Sequence, residues 1–305
     1  MTRSRGRFFD SELIARLSRM EITAQRIVDG FLAGKNRSSR HGFSIEFVEH
    51  REYAPGDDLR HLDWKVLGRK DRYYIKRYEE ETNITALILL DASASMTYAS
   101  GKVTKFETAA TIASALGYLL NRQRDAVGLA LFDSELREYV APSVKLASLA
   151  NVVAKMGGAE PQGKSSLDAV LTRVVPELPG RCLVVLVSDL LVPLEEIDAA
   201  LKFLHFRGHD VLVIQTLDEA ERTFPFRSNI LFRGMEDGRT LLTEPQRLRT
   251  QYLSVLEEFL TKVRKACESC AYDYRLHTTG ESLGPALAAL LATRSRRRRM
   301  LRRRR

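Results

Sequence analysis

Cysteine is scarce in this chain of 305 residues, with three at positions 182, 267 and 270. So small and odd a number builds no disulfide framework; it fits a reducing compartment and a fold resting on an apolar core. Cys267-Glu-Ser-Cys270 is one pair without a second and falls late in a helical pattern, so it reads as packing rather than as zinc or redox chemistry. Long apolar runs are missing too. Ile84–Leu90 and Leu183–Val187 have strand length, well short of the roughly 20 residues a membrane-spanning helix needs. The arginines of the first ten residues precede no apolar stretch, so no secretory signal is expected and the protein is placed in the cytoplasm.

Familiar catalytic spellings are absent as well. There is no Gly-x-Ser-x-Gly elbow and no His-Glu-x-x-His pair, and the loop at Asp91 lacks the second Asp of the phosphoaspartate phosphatases. The six histidines are scattered; His205 and His209 flank a helix end and read as a cap and a surface residue rather than ligands. The body also lacks net charge. Nine of the 48 basic residues are arginines of the last twelve positions, which leaves 39 basic against 39 acidic residues elsewhere. The formal charge of +9 therefore belongs to a tail, 294–305, whose like charges repel and are expected to leave it disordered. No specific nucleic-acid partner is expected, although such a tail could touch anionic lipid or RNA.

What is present is enough apolar sequence, 44%, for a large core. Residues 11–35 read as an amphipathic helix, followed by extended stretches at Phe43–Tyr53 and Tyr73–Tyr78. From residue 84 strands alternate with helices, the pattern of a mostly parallel sheet covered on both faces. The expected strands are 84–90, 126–132, 136–141, 182–188, 210–216 and 272–276. Thr104-Lys-Phe-Glu107 is a capping box opening the first intervening helix, residues 145–156 and 166–178 fit two more, and Pro193 to Gly208 brackets a fourth. Ile230–Leu242, centred on Asp237-Gly238, reads as an inserted hairpin. Pro245 opens a long helix to about Cys270, and Leu283–Thr293 makes the last. The division expected is 1–82 as a helix and β-rich extension, 83–293 as the α/β domain with an insert at about 228–245, and 294–305 as the tail. The segments at 43–53, 72–81 and 230–242 are expected to share one small second sheet.

Asp91 and Asp189 each stand directly after an apolar strand, at the sheet edge where ligands bind in open α/β folds. Ser93 and Ser95 follow Asp91 at alternate positions, so their hydroxyls and the carboxylate can converge. An all-oxygen cluster of that kind suits a hard cation, Mg²⁺ first and Ca²⁺ or Mn²⁺ next. Short Asp/Ser segments after strands are also common turns and caps, and the second carboxylate in the right order is what favours metal. Elsewhere, Arg51-Glu-Tyr-Ala-Pro-Gly-Asp57-Asp58-Leu-Arg60-His-Leu-Asp63-Trp64 gathers carboxylates and arginines with no nucleophile beside them, the makings of a structural clasp.

The loop Asp91-Ala-Ser93-Ala-Ser95 with Asp189 resembles the metal-ion-dependent adhesion site of the von Willebrand factor A domain, spelled Asp-x-Ser-x-Ser with a Thr and an Asp on two further loops. That resemblance implies a Rossmann-like parallel sheet, and a metal held by Asp91, Ser93, Ser95, Asp189 and a second-loop hydroxyl. Gly163-Lys-Ser165-Ser166 stands where the Thr is expected, so Ser165 is assigned and Ser166 held in reserve. The Arg51–Trp64 segment upstream of such a strand is similar to the bacterial "domain of unknown function fifty-eight" family, over nearly the whole chain. Its members are associated with MoxR-type AAA+ ATPases as metal-dependent adaptors in assembly or maturation of other proteins, and some carry transmembrane helices. The resemblance implies binding without turnover, the metal's free position taking an acidic side chain of the ATPase or its client. A different class remains open: Gly158-Ala-Glu-Pro-Gln-Gly-Lys164-Ser165 spells a P-loop, which would make a Mg²⁺-dependent nucleotide hydrolase, but it follows a helical spacing where a P-loop leaves a strand.

Overall fold

The computed structural model describes residues 23–32, 49–52, 73–77 and 83–303. The chain divides into two units, 32–82 and the remainder. In the smaller unit, β1 (Glu49–Glu52) pairs antiparallel with β2 (Tyr74–Arg77). Helix α1 covers residues 23–32, of which 23–31 belong to the larger unit, and buries Ala24 and Val28.

The larger unit is a six-stranded sheet with helices on both faces. In chain order its elements are β3 (Thr85–Asp91), α2 (Lys105–Arg122), β4 (Ala126–Phe132), β5 (Leu136–Ser143), α3 (Leu146–Gly157) and α4 (Leu167–Val174). Then follow β6 (Leu183–Ser188), α5 (Leu194–Phe206), β7 (Asp210–Leu217), α6 (Glu219–Thr223), β8 (Ile230–Arg233), β9 (Thr240–Thr243), α7 (Pro245–Ser269), β10 (Asp273–Thr278) and α8 (Gly284–Arg303). The strand order is β10-β7-β6-β3-β4-β5, parallel throughout except that β5 runs antiparallel to β4 at the edge.

Why β3 and β6 sit centrally follows from composition. Ala86 to Leu90 and Leu183 to Val187 are each apolar at every position and buried at every position, as a strand covered on both faces requires. One face carries α4, α5 and α7, whose Leu171, Leu201 and Val263 meet Leu87, Leu89 and Val184 in a common core. The other carries α2, packed beside α3 and α8 and over β3 and β4. The capping box at Thr104 and Glu107 forms as expected and starts α2.

Most expected elements stand within a few residues of their places, and four expectations are corrected. Among the described residues the segments near 49, 74 and 230 do not share a sheet: β1–β2 and β8–β9 are separate two-stranded pairings. The last helix does not stop at residue 293 but runs on through the arginines to Arg303, so that stretch is helical where disorder was expected. Arginine is a good helix former, and a helix already seeded by buried Ala286, Leu287 and Leu290 propagates at little cost despite charge repulsion. Residues 175–177 tighten into a 3-10 turn after α4, with Pro176 unable to donate to the helix. His209 is buried, its Nδ1 accepting the Cys182 amide at 3.1 Å, rather than lying at the surface.

At the β4–β5 edge, a Cβ on Gly128 would lie 2.7 Å from the Val140 carbonyl oxygen and 2.8 Å from the Pro142 nitrogen. Register shifts accompany this crossing, and only a residue without a side chain lets β5 approach. Gly128→Ala is expected to cost about 1–3 kcal/mol through forced strand displacement, read as a lower midpoint in urea unfolding.

Candidate metal centre

Strand order reverses at β3, which has β4 on one side and β6 on the other, so the loops after β3 and β6 leave the sheet side by side. Asp91, the last residue of β3, is fully buried. Its Oδ1 accepts the Ser93 amide at 2.8 Å. Its Oδ2 accepts two hydroxyls, Ser165 at 2.9 Å from the loop before α4 and Ser188 at 2.5 Å from the end of β6. Ser93 and Ser95 hydroxyls lie 3.1 Å apart. The Ser165 loop is fastened to the Asp91 loop along the backbone, Ala94 donating to the Gly163 carbonyl and Gln162 to that of Ala92, both at 2.9 Å.

The structure thus brings Asp91, Ser93, Ser95 and Ser165 together. It is Ser165, not Ser166, that reaches Asp91; the Ser166 amide instead donates to the Asp133 carbonyl at the head of α4. Asp189 stands next to this group and is near enough to Asp91 to destabilise its charge. Its Oδ2, however, is taken by Lys105. Leu190, held at φ +54° with its amide on Ser188 Oγ, makes the sharp turn that presents Asp189, a backbone cost borne by burial of the Leu190 side chain. Of the clasp residues, Arg51 lies in β1; Asp57, Asp58, Arg60, Asp63 and Trp64 fall outside the described residues.

Lys105, Ser188 and Glu221 escaped the sequence reading. Lys105, the first residue of α2, is completely buried and its Nζ donates to Asp189 Oδ2 and Glu221 Oε1, both at 2.8 Å. Burial alone would drive its ammonium pKa down; the two carboxylates more than offset this, and the net direction is upward. Glu221 also accepts the Asp218 amide at 2.8 Å, closing a capping box at α6. Burial raises its pKa against the pull of Lys105. The ammonium therefore ties the β6 loop, α2 and α6 together.

Can these residues accept a hard cation? Ser165 and Ser188 each donate their proton to Asp91, which leaves the hydroxyl lone pairs available, and Ser93 and Ser95 add two more oxygens. Among the described residues no trio of His, Cys, Asp and Glu gathers around a point, so the donor set is mainly hydroxyl. Such a set matches Mg²⁺, which keeps waters, better than softer metals. Lys105 is shared by Asp189 and Glu221, whereas the Asp91 carboxyl is met by hydroxyl and amide donors. Burial, then proximity to Asp189, raises its pKa from 3.8 to about 6 against the lowering effect of the Ser188 and Ser93 hydrogen bonds.

The P-loop spelling does not find its setting: Gly158–Ser165 leaves helix α3, not a strand, and Lys164 is exposed. Cys182, Cys267 and Cys270 are free and buried, and burial pushes the Cys267 thiol up to about 12, far from a reactive or ligating thiolate.

Strand order, two carboxylates at neighbouring strand ends and the hydroxyl loop between them give the α/β arrangement that the resemblance to the von Willebrand factor A domain implies. The profile of the family described as protein of unknown function DUF58 matches residues 49–258, more than half the chain, and the protein belongs to that family. The uncharacterised protein Rv1480 of Mycobacterium tuberculosis is 24% identical over 237 residues, 77% of this chain and 74% of that one. Its Mycobacterium bovis counterpart Mb1516 is similar to the same extent. Among solved structures, the conserved hypothetical protein BatB from Bacteroides thetaiotaomicron is 15% identical with a TM-score of 0.48, covering 70% of this chain and 100% of that one. An aerotolerance-related membrane protein from Bacteroides fragilis is 18% identical with a TM-score of 0.49, covering 69% and 98%. The SpRpn10 VWA domain is 11% identical with a TM-score of 0.41, covering 68% and 94%. Among the described residues of this chain, no helix is long and apolar enough to cross a membrane.

Lys105→Met leaves Asp189 and Glu221 in place without their cation; a loss of about 3–5 kcal/mol is expected in denaturant unfolding, far above that of an exposed lysine. The Asp91 pKa carries its own pH signature. Because the folded value of about 6 exceeds the ordinary 3.8, the contribution of Asp91 to stability is full below 3.8 and is lost as pH rises through about 6. In EDTA, Asp91→Asn should flatten that part of the stability–pH curve, and an unchanged slope between those pH values would contradict the assignment.

Proposed function

We propose that this protein is a non-enzymatic, divalent-metal-dependent interaction module. It acts in the cytoplasm as an adaptor of a MoxR-type AAA+ ATPase in assembly or maturation of other proteins. The observation that carries the reading is the convergence of Ser93, Ser95 and Ser165 on a buried Asp91 at the topological switch point. Ser93, Ser95 and Ser165 would hold Mg²⁺, with Ca²⁺ or Mn²⁺ as substitutes, Asp91 fixing Ser165 through its hydroxyl and Ser93 through its amide, and Asp189 supporting from the next strand. The ion would supply a Lewis-acidic position for an incoming oxygen.

The charge balance supports a partner of one chemistry. Lys105 occupies the Asp189 carboxylate and the remaining donors are mainly hydroxyls, so an acidic side chain of the ATPase or its client would add a strong oxygen ligand to a dication held there. The P-loop segment's departure from a helix weighs against the nucleotide hydrolase. The arginines continuing α8 leave peripheral contact with anionic lipid or RNA as a separate property.

Calorimetry with Mg²⁺ is expected to show one site in the wild type and none in Asp91→Ala combined with Ser93→Ala, while Lys164→Ala binds as the wild type does. Pull-down from native cells should retain the ATPase or client without EDTA and lose it with EDTA. Absence of Mg²⁺ binding by the wild type, or capture indifferent to the double substitution, would falsify the proposal.

A further inference from the structure

Three arginines from three separate elements meet at the β10 edge of the sheet. Arg222 stands on α6, Arg264 on α7 and Arg275 on β10, and with Tyr274, Leu276 and Glu281 they line a cavity of about 370 Å³. Strands β7 and β6 separate this edge from β3 and the Asp91 loop. Two of the arginines are held in place. Arg222 Nη1 donates to the Thr278 hydroxyl at 2.9 Å and lies 3.7 Å from Glu281 Oε1. The Arg264 guanidinium lies over the Tyr274 ring, 5.8 Å from its centroid. That ring is itself anchored, its hydroxyl donating to the buried Gln215 Oε1 at 2.8 Å. Arg275 differs from both: its Nε is sealed from water and meets no acceptor among the described residues.

A buried N–H without an acceptor is costly, and like charges gathered around one cavity repel one another. Packing gives no reason to accept either cost, because the lining is mostly polar. Glu281 is the one carboxylate among the lining residues, so the side chains that face the cavity carry three positive charges against one negative. The surplus of two, presented by planar forks from three directions, matches the charge and the several oxygens of a phosphate group near neutral pH. A single carboxylate would meet half of that surplus. The cavity falls at the low end of the range of small-molecule sites, about 300–1,000 Å³, which leaves room for a small organic substituent on the phosphate.

We propose that the cavity between Arg222, Arg264 and Arg275 binds a phosphate group, carried by the free ion or by a small monoester. Arg275 supplies the buried donor, while Arg222 from α6 and Arg264 from α7 supply the flanking ones. The site stands apart from the candidate metal centre and does not depend on an ion being held there.

Inorganic phosphate and glycerol 3-phosphate are the probes, titrated by calorimetry into the full chain in about 0.15 M NaCl, which largely screens ions attracted to the terminal arginines. One site is expected in the wild type, with a rise in thermal midpoint as the probe is added. Arg275→Gln and Arg264→Gln are each expected to weaken binding about tenfold or more and to remove the rise. Without anion, Arg275→Gln should unfold no earlier than the wild type, a readout that a merely structural arginine would move. Arg275→Lys, which keeps the charge but loses the fork, should bind between the two. Tighter binding of inorganic phosphate assigns the site to the free ion, tighter binding of glycerol 3-phosphate to an organic monoester, and either result supports the proposal. Absence of saturable binding of both probes would overturn it. Equal binding by the wild type and both glutamine variants would do the same, placing the anion on the terminal arginines. Where Arg275→Gln does not fold, the exposed Arg264 position decides through Arg264→Gln alone.

Discussion

Asp91 is a carboxylate sealed from water at the end of the central strand, and a buried charge-bearing group of this kind has to be satisfied by the protein itself. Three separate stretches supply the donors: the loop it begins, through the Ser93 amide; the loop before α4, through Ser165; and the end of β6, through Ser188. Without Asp91 these stretches would have no common partner. The reversal of strand order at β3 makes the convergence geometrically cheap, because β6 and the crossover to β4 leave the sheet on either side of it.

A second buried charge organises the other half of the same edge. Lys105 joins Asp189 to Glu221, and Glu221 with Asp218 caps the short helix α6 from which the aromatic cluster and the hairpin are hung. Asp218 extends the network, accepting the Ser100 amide at 3.1 Å and the Thr279 hydroxyl at 3.0 Å. These hydrogen bonds hold its carboxyl below the usual range although burial opposes them. The centre and the hairpin are therefore joined through α6, by ion pairs on one side and aromatic packing of Phe224 with Phe232 and Tyr252 on the other.

How much of this could be seen in the chain alone divides along a physical line. Features set by local pattern were legible: the apolar runs of β3 and β6, the capping box of α2, the Asp237-Gly238 turn, and Asp91 and Asp189 as residues that end strands. Ser165 was reached through family resemblance and Ser166 could not be separated from it, since adjacent hydroxyls differ only in which way the backbone turns. Features set by encounters between distant segments were not legible. Ser188 closes an apolar run and reads as a strand end, and Lys105 follows an N-cap where lysine ordinarily faces water. The arginine block shows the opposite error: charge repulsion was weighed and helix propagation from Ala286–Leu290 was not.

The burial of Lys105 carries a further consequence. Dissolved ions screen charges at a surface within about 8–10 Å, but they do not enter a site with no solvent access. The counter-charge facing Asp189 is consequently a fixed covalent part of the chain, screened by salt far less than a surface pair would be. Ionic strength can alter how fast an acidic partner arrives, while the Lys105–Asp189 pair it meets on arrival is little changed by salt.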